Sequence, residues 1–362
     1  MDEFEEIAHT GGTITFIHDP KRGTAIELKH SNPWKVVIYQ VCVSFDGEIL
    51  EFVPPGGIGA VIPYPQPSIL AFLISDREGL FGQHCPECKS YFRSDCIGGN
   101  TTCPYCLHAE NGIEFLTENQ AQFIGTFCNT FIEAHQNGKT IEVDLNELID
   151  GLPSNKPGWV YSEERQQSKY NCISCKATYD ILGEYGTCPC CGETNYREVI
   201  ESKLDLLDQE FAEANEAVED RHDREVEWEK LTRCISEFEA LANSVRKSLL
   251  SLPLTPKRRS DISQLSFQRI LNAADRLKEW FEIDILKDVS KDDQAFLKKM
   301  FNRRHIFTHN AGKVDQEYID NTGDTSVRLN QTIRFQSREI RRLLPLVRQC
   351  ATNLMDGLSS IE

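Results

Sequence analysis

Phe296-Leu297-Lys298-Lys299-Met300-Phe301-Asn302-Arg303-Arg304-His305-Ile306-Phe307-Thr308-His309-Asn310 is the stretch that decides how the last third of this chain folds. Phe296, Leu297, Met300 and Phe301 recur at the three- and four-residue spacing of one helix face. Ahead of them, Ser290-Lys-Asp-Asp293 resembles an N-terminal capping box in its acidic form. Behind them, Gly312 is a stop signal, because glycine accepts the left-handed backbone that ends a helix. The helix therefore carries Arg304 and His309, five positions apart, to its C-terminal end.

The same periodicity extends on both sides. A long helical segment is predicted from Tyr196 to about Leu250. Its second half has a clean stripe of Leu231, Ile235, Phe238, Leu241, Val245 and Leu249. Its first half is acidic, with a thinner stripe of Leu204, Leu207, Phe211, Ala214 and Val218. Ser251 to Ser260 contains Pro253 and Pro256 and reads as a connector. A helix with Ile270, Leu271, Ala274, Leu277, Trp280 and Phe281 follows, then the Arg304 helix. A last helix from about Phe335 to Leu358 carries Ile340, Leu343, Leu344, Val347 and Leu354. Helices of this length with short connections favour a bundle.

The 362 residues carry a formal net charge of −17, unlike a general nucleic-acid binder. The distribution is more informative. Glu201 to Lys230 holds twelve acidic and four basic residues, a net of −8; Phe296 to Arg348 holds eleven basic and five acidic residues, a net of +6. A local basic patch of this kind suits an RNA backbone while the rest of the surface repels bulk polyanion. The alternative is surface charge that segregates without purpose.

Eight of the fourteen cysteines fall in Cys-x2-Cys pairs: Cys85 with Cys88, Cys103 with Cys106, Cys172 with Cys175, and Cys188 with Cys191. Two such knuckles on successive hairpins supply the tetrahedral sulfur set that Zn2+ takes, so two zinc ribbons, about two ions per chain, are expected. All four positions in each set are cysteine. That leaves no open coordination site for water, so the metals are expected to be structural, replacing a core that small β units cannot build. Cys190 is an alternative ligand to Cys188 or Cys191, and Cys96, His84 or His108 could serve in the first set. Upstream, Val41–Phe45 and Glu48–Val53 flank Asp46-Gly47, a two-residue hairpin signal in which both central positions need positive φ. Thr13–His18 and Ala25–Leu28 are further strand candidates, and Pro54-Pro55-Gly56-Gly57 breaks the pattern. This β-rich part is expected to pack on the ribbons. Thr117-Glu-Asn-Gln120 resembles a capping box for a helix with Ile124, Phe127, Cys128, Phe131 and Ile132, closed by Gly138. Positions 140–170 read as a short strand and a Pro- and Gly-rich loop.

Arg304-x4-His309 at the end of the third of four helices resembles the HEPN superfamily, α-helical domains that include many metal-independent endoribonucleases. The similarity covers roughly residues 225–360. His305 directly after the arginine, Asn310 after the histidine, and the Gly312-Lys-Val-Asp315 and Tyr318 that follow also resemble the family. The resemblance implies that Arg304 holds the phosphate, that His309 transfers protons, and that His305 and Asn310 support them. It also implies that two domains pair so that their motifs share a cleft, which suits a homodimer. The chemistry fits these residue types. Histidine titrates near pH 6.5, arginine forks onto phosphate, and attack by a 2′-OH selects RNA over DNA. Many members are non-catalytic, and Ala311 stands where a nucleotidyltransferase-paired class carries tyrosine.

The sequence thus reads as α+β. A β-rich part (1–80) and two zinc ribbons with an intervening helix (81–195) precede a long helix and a four-helix bundle (196–362). The expected activity is metal-independent endoribonuclease, in a defence, toxin or RNA-processing setting. The alternative is a non-catalytic scaffold of the same fold binding RNA or protein. RNA, a second copy and a regulatory protein are the expected partners. No apolar run reaches the ~18–20 residues of a membrane span, and the acidic Met1-Asp-Glu-Phe-Glu-Glu6 is not expected to be a secretory leader. The expected location is cytoplasmic.

Overall fold

The structure, a computed structural model, describes residues 4–21, 23–30, 37–53, 68–144, 162–217 and 224–361. It is mixed α+β: small antiparallel sheets come first and helices follow. The chain divides into two compact units, Met1–Thr194 and Asn195–Glu362.

In the first unit, Gly12–Asp19 lies between Gly23–His30 and Ile141–Asp144, and Ile38–Ser44 lies between Ile49–Val53 and Ser68–Ile74, all antiparallel. Helix α1 (Glu118–Asn137) packs against the Gly12–Asp19 and Ser68–Ile74 strands. Its Phe123, Ile124 and Phe127 join Phe16, Val41, Ala71 and Leu73 in one apolar core. The sheets therefore find their main cover in α1. The capping box forms as expected. Gln120 donates its backbone N–H to Thr117 Oγ1 at 3.2 Å, and Thr117 donates its own to Gln120 Oε1 at 3.0 Å. Gly138 closes the helix at φ 60°.

The Asp46-Gly47 hairpin forms with a different turn. Gly47 N–H reaches the Ser44 carbonyl at 3.0 Å and Ser44 N–H the Glu48 carbonyl at 2.9 Å, so Phe45, Asp46 and Gly47 make a three-residue loop. Only Gly47 of the pair takes positive φ, 88°. A bulge at Cys42/Val43 absorbs the extra residue. The Pro54–Gly57 breaker, most of the Pro- and Gly-rich loop before 170, and Val218 lie outside the described residues.

A four-stranded sheet, in the order Ser168–Asn171, Thr178–Ile181, Tyr91–Ser94, Phe81–His84, joins the two cysteine-rich segments. Arg93, fully buried, ties it together: its guanidinium reaches Asp76 at 2.6 Å and Asp180 at 2.5 Å, with Glu78 at 3.1 Å.

In the second unit the long helical segment proves to be two helices, α2 (Tyr196–Ala217) and α3 (Arg224–Ser251), packed on each other. Lys203 meets Glu237 at 2.7 Å and Arg233 meets Glu210 at 2.5 Å, so the chain has folded back on itself. The α3 stripe from Leu231 to Leu249 is buried throughout. A short helix α4 (Pro256–Ser263) occupies the expected connector, its N-terminus capped by Thr255 Oγ1. α5 (Ile270–Phe281), α6 (Lys291–Asn310), a second short helix α7 (Gln316–Thr322) and α8 (Ser337–Ser359) complete the unit. α3 packs against α2, α4, α6 and α8. Ser290 caps α6 through Asp293 N–H at 3.1 Å. The stop falls one residue before the glycine, at Ala311 (φ 48°).

Candidate functional site

Two tetra-cysteine groups form in the first unit, Cys85, Cys88, Cys103 and Cys106, and Cys172, Cys175, Cys188 and Cys191. In each, the four Sγ atoms lie within 4.8 Å of one another, an arrangement that could hold a metal ion. The closest sulfurs are 3.6 Å (Cys85–Cys106), 3.7 Å (Cys88–Cys103), 3.5 Å (Cys172–Cys191) and 3.6 Å (Cys175–Cys188) apart. A tetrahedron with ~2.3 Å metal–sulfur bonds has edges of about 3.8 Å. Cys96, Cys190, His84 and His108 stand outside both quartets.

The knuckles are built alike. The residue after each second cysteine donates its N–H to the carbonyl of the first: Lys89 to Cys85 at 3.0 Å, Leu107 to Cys103 at 3.1 Å, Lys176 to Cys172 at 2.9 Å, Gly192 to Cys188 at 3.0 Å. All four take the left-handed backbone, φ 60°, 64°, 67° and 79°. The turn points N–H groups at sulfur, as from Tyr105 to Cys103 Sγ at 3.4 Å. Burial, reinforced by the neighbouring thiols, pushes the Cys103 and Cys188 thiols well above their ordinary range. Four thiolates cannot gather there unless a cation offsets their charge, which is what a bound metal would supply.

In the second unit α6 separates the predicted residues by their positions on the helix. Five residues apart, Arg304 and His309 lie about 140° apart around the axis. Arg304 turns to α3 and pairs with Glu239 at 2.9 Å, the side chains only 15% and 14% exposed. The pair is incompletely satisfied, since Arg304 Nε and Glu239 Oε1 are buried without a hydrogen-bond partner. Burial pushes the Glu239 carboxyl up, and the charge of Arg304 pulls it part of the way back. His305 and His309, one turn apart, are exposed with ring centroids 4.6 Å apart. Asn310 donates its side-chain N–H to the Lys313 carbonyl at 2.8 Å, which fixes the turn after the helix. The structure thus brings His305 and His309 together and gives Arg304 to Glu239. Among the described residues only the two cysteine quartets gather three or more ligand atoms, so the histidine pair is no metal site by itself.

Sequence reasoning missed Arg303. Its buried guanidinium donates to Tyr318 Oη at 3.1 Å, to Glu339 at 2.9 and 3.1 Å, and to Asp324 at 3.1 Å. Tyr318 in turn donates to Asp324 at 2.8 Å. Against the effect of its burial, donation from the Ser326 hydroxyl, then from Tyr318, the Ser326 N–H and Arg303, holds the Asp324 carboxyl far below the usual carboxylate range. The signal was present: Phe296, Met300, Arg303 and Phe307 follow helical spacing, so Arg303 falls on the apolar face.

The mixed α+β fold and its two cysteine quartets define this chain only as a class. Comparison with protein-family models, with curated proteins and with solved structures found no match. No helix among the described residues is long and apolar enough to cross a membrane.

Proposed function

We propose that the helical unit is an endoribonuclease of the HEPN type, cutting RNA without a catalytic metal, and that the cysteine quartets hold structural Zn2+. The observation that carries the reading is the end of α6. There two exposed histidines, one directly after a largely buried arginine whose Nε lacks a partner and the other a turn further on, stand in ring contact. A buried polar group left unmet is costly, and such groups collect where a ligand is expected. In this reading His309 exchanges protons with the 2′-OH or the leaving 5′-oxygen, His305 supports it, and Arg304 neutralises the phosphorane-like transition state. One Arg-x4-His set is sparse, so the site is completed by a second copy. A defence, toxin or RNA-processing role would follow.

The Glu239–Arg304 pair favours a second reading, a non-catalytic scaffold, because an arginine held by a carboxylate is not free for phosphate. The test is incubation of end-labelled RNA with wild type, His309→Ala and Glu239→Gln in buffer without added metal. The nuclease reading expects cleavage by wild type and a loss of ~10²–10⁴-fold in His309→Ala. Equal cleavage by folded His309→Ala would overturn it, and no cleavage by any form would favour the scaffold.

A further inference from the structure

Between α4, α5, α6 and α7 the surface sinks into three adjoining hollows of about 450, 400 and 260 Å³. They share walls. Asp261, Gln264, Arg276 and Trp280 line the first and second, and Gln268, Arg269, Asn272, Asn302 and Asn321 line the first and third. The hollows therefore join into one groove, and His305 stands in its wall. An extended groove suits a chain ligand better than a compact metabolite.

Its chemistry is particular. Arg258 and Arg276 both stack on Trp280, their guanidinium carbons 4.8 and 5.7 Å from the ring centroid. Stacking holds a guanidinium in place and leaves its N–H edge free for an anion. Arg258 has no carboxylate partner among the described residues. Arg276 pairs with Glu279 at 3.1 Å and Arg269 with Glu317 at 3.5 Å, all well exposed, so these pairs are weak and exchangeable. The same hollows are lined with side-chain amides, Gln264, Gln268, Asn272, Asn302 and Asn321. Asn302 commits its N–H to the Lys298 carbonyl at 2.8 Å, leaving its oxygen for another partner. Amides, with the Asp261 carboxylate beside them, can read the donor and acceptor edges of unpaired bases. Scattered cations can follow the phosphates. A duplex would bury those edges.

We propose that this groove binds a single-stranded polynucleotide, its phosphates against Arg258, Arg269 and Arg276 and its bases against the amide wall, leading the strand to His305. The choice of RNA as the strand rests on the endoribonuclease reading; the groove chemistry does not.

The test is fluorescence anisotropy on the full chain. The probes are labelled strands of about 12 nucleotides, one 2′-O-methyl RNA, which 2′-OH attack cannot cut, and one DNA of the same sequence. Wild type is compared with Arg258→Gln/Arg276→Gln and with Asn272→Ala/Asn321→Ala. The arginine variant is expected to bind at least about ten-fold more weakly, with a salt slope shallower by about 0.7 for each phosphate it no longer neutralises. The amide variant is expected to keep the salt slope and to lose the difference in affinity that wild type shows between this sequence and a second 2′-O-methyl RNA of scrambled sequence. Wild type that binds neither strand, or a folded arginine variant with unchanged affinity and slope, overturns the proposal. Binding of DNA alone overturns the choice of RNA. If His309→Ala stops cleavage while groove variants bind normally, the groove fails and the nuclease stands. If groove variants lose binding while His309→Ala still cleaves, the nuclease reading fails and the groove stands.

Discussion

Arg303 directs its guanidinium to Tyr318, Asp324 and Glu339, while its neighbour Arg304 makes one ion pair, with Glu239, and keeps its Nε unmet. The difference follows from one step of 100° around α6, which takes a side chain off the buried stripe. Removing Arg303 leaves two carboxylates in a poorly hydrated site with Lys299, 3.9 Å from each, as their remaining cation. Arg303→Ala should therefore destabilise the helical unit by about 3–5 kcal/mol. Arg304→Ala removes one ion pair, already incompletely satisfied, and leaves one carboxylate instead of two, so it should cost no more than about 2 kcal/mol. Denaturant titration of both variants checks this, and equal losses would contradict it. The sequence made Arg304 visible through its spacing to His309. It left Arg303 unremarked because a charged residue on an apolar face reads as noise until its partners are known. Those partners come from α7, α8 and the loop between them, 15 to 36 positions away.

The knuckle is the element that recurs most faithfully. Its cysteine spacing was legible, but the left-handed residue after each second cysteine was not, because only one of the four, Gly192, is a glycine. Lys89, Leu107 and Lys176 hold that backbone at a cost. Lys176→Gly should raise the stability of the metal-loaded protein by about 0.5–1 kcal/mol, the left-handed penalty less glycine's extra unfolded-state entropy. Elemental analysis should find about two zinc ions per chain, and chelation should unfold the knuckles and abolish that gain. Fewer than one ion would contradict the assignment. The strand Ser162–Glu164 gives a second test. Burial pushes the Glu163 carboxyl up to about 7 from its ordinary 4.5, despite the 2.7 Å bond from Tyr91 Oη. Below pH 4.5 folded and unfolded chains both hold the proton. Between there and about 7 only the folded chain does, so stability falls as pH rises, and the loss is complete above it. Glu163→Gln should flatten that slope in melting curves and raise the Tm at pH 8; an unchanged slope would contradict the burial argument. Helices α4 and α7 escaped the sequence reading for a related reason. Each buries a single side chain, Ile262 or Tyr318, and so has no stripe to read. Only their caps, Thr255 with Pro256 and Asp315 with Gly323, mark them. The long apolar stripes of α3 and α8 were legible for the opposite reason.

At the scale of the whole molecule, a chain of net charge −17 gathers a local +6 over Phe296 to Arg348, the segment that holds both His305 and His309. Part of that charge is already met, since Arg303, Arg304, Arg342 and Arg348 pair with carboxylates. The sparse single Arg-x4-His set predicts a homodimer through the helical unit. Light scattering at micromolar concentration should give twice the chain mass of 41.3 kDa; a monomer with full activity would contradict the shared site. The most direct measurement is the chemistry of the cut end. Mass spectrometry of RNA fragments made by the zinc-loaded protein, without added metal, should find 2′,3′-cyclic phosphate or its hydrolysis product. A single 2′-deoxy nucleotide at the cut site should block cleavage there. Fragments ending in 3′-hydroxyl, or cleavage undiminished by the 2′-deoxy substitution, would contradict the account.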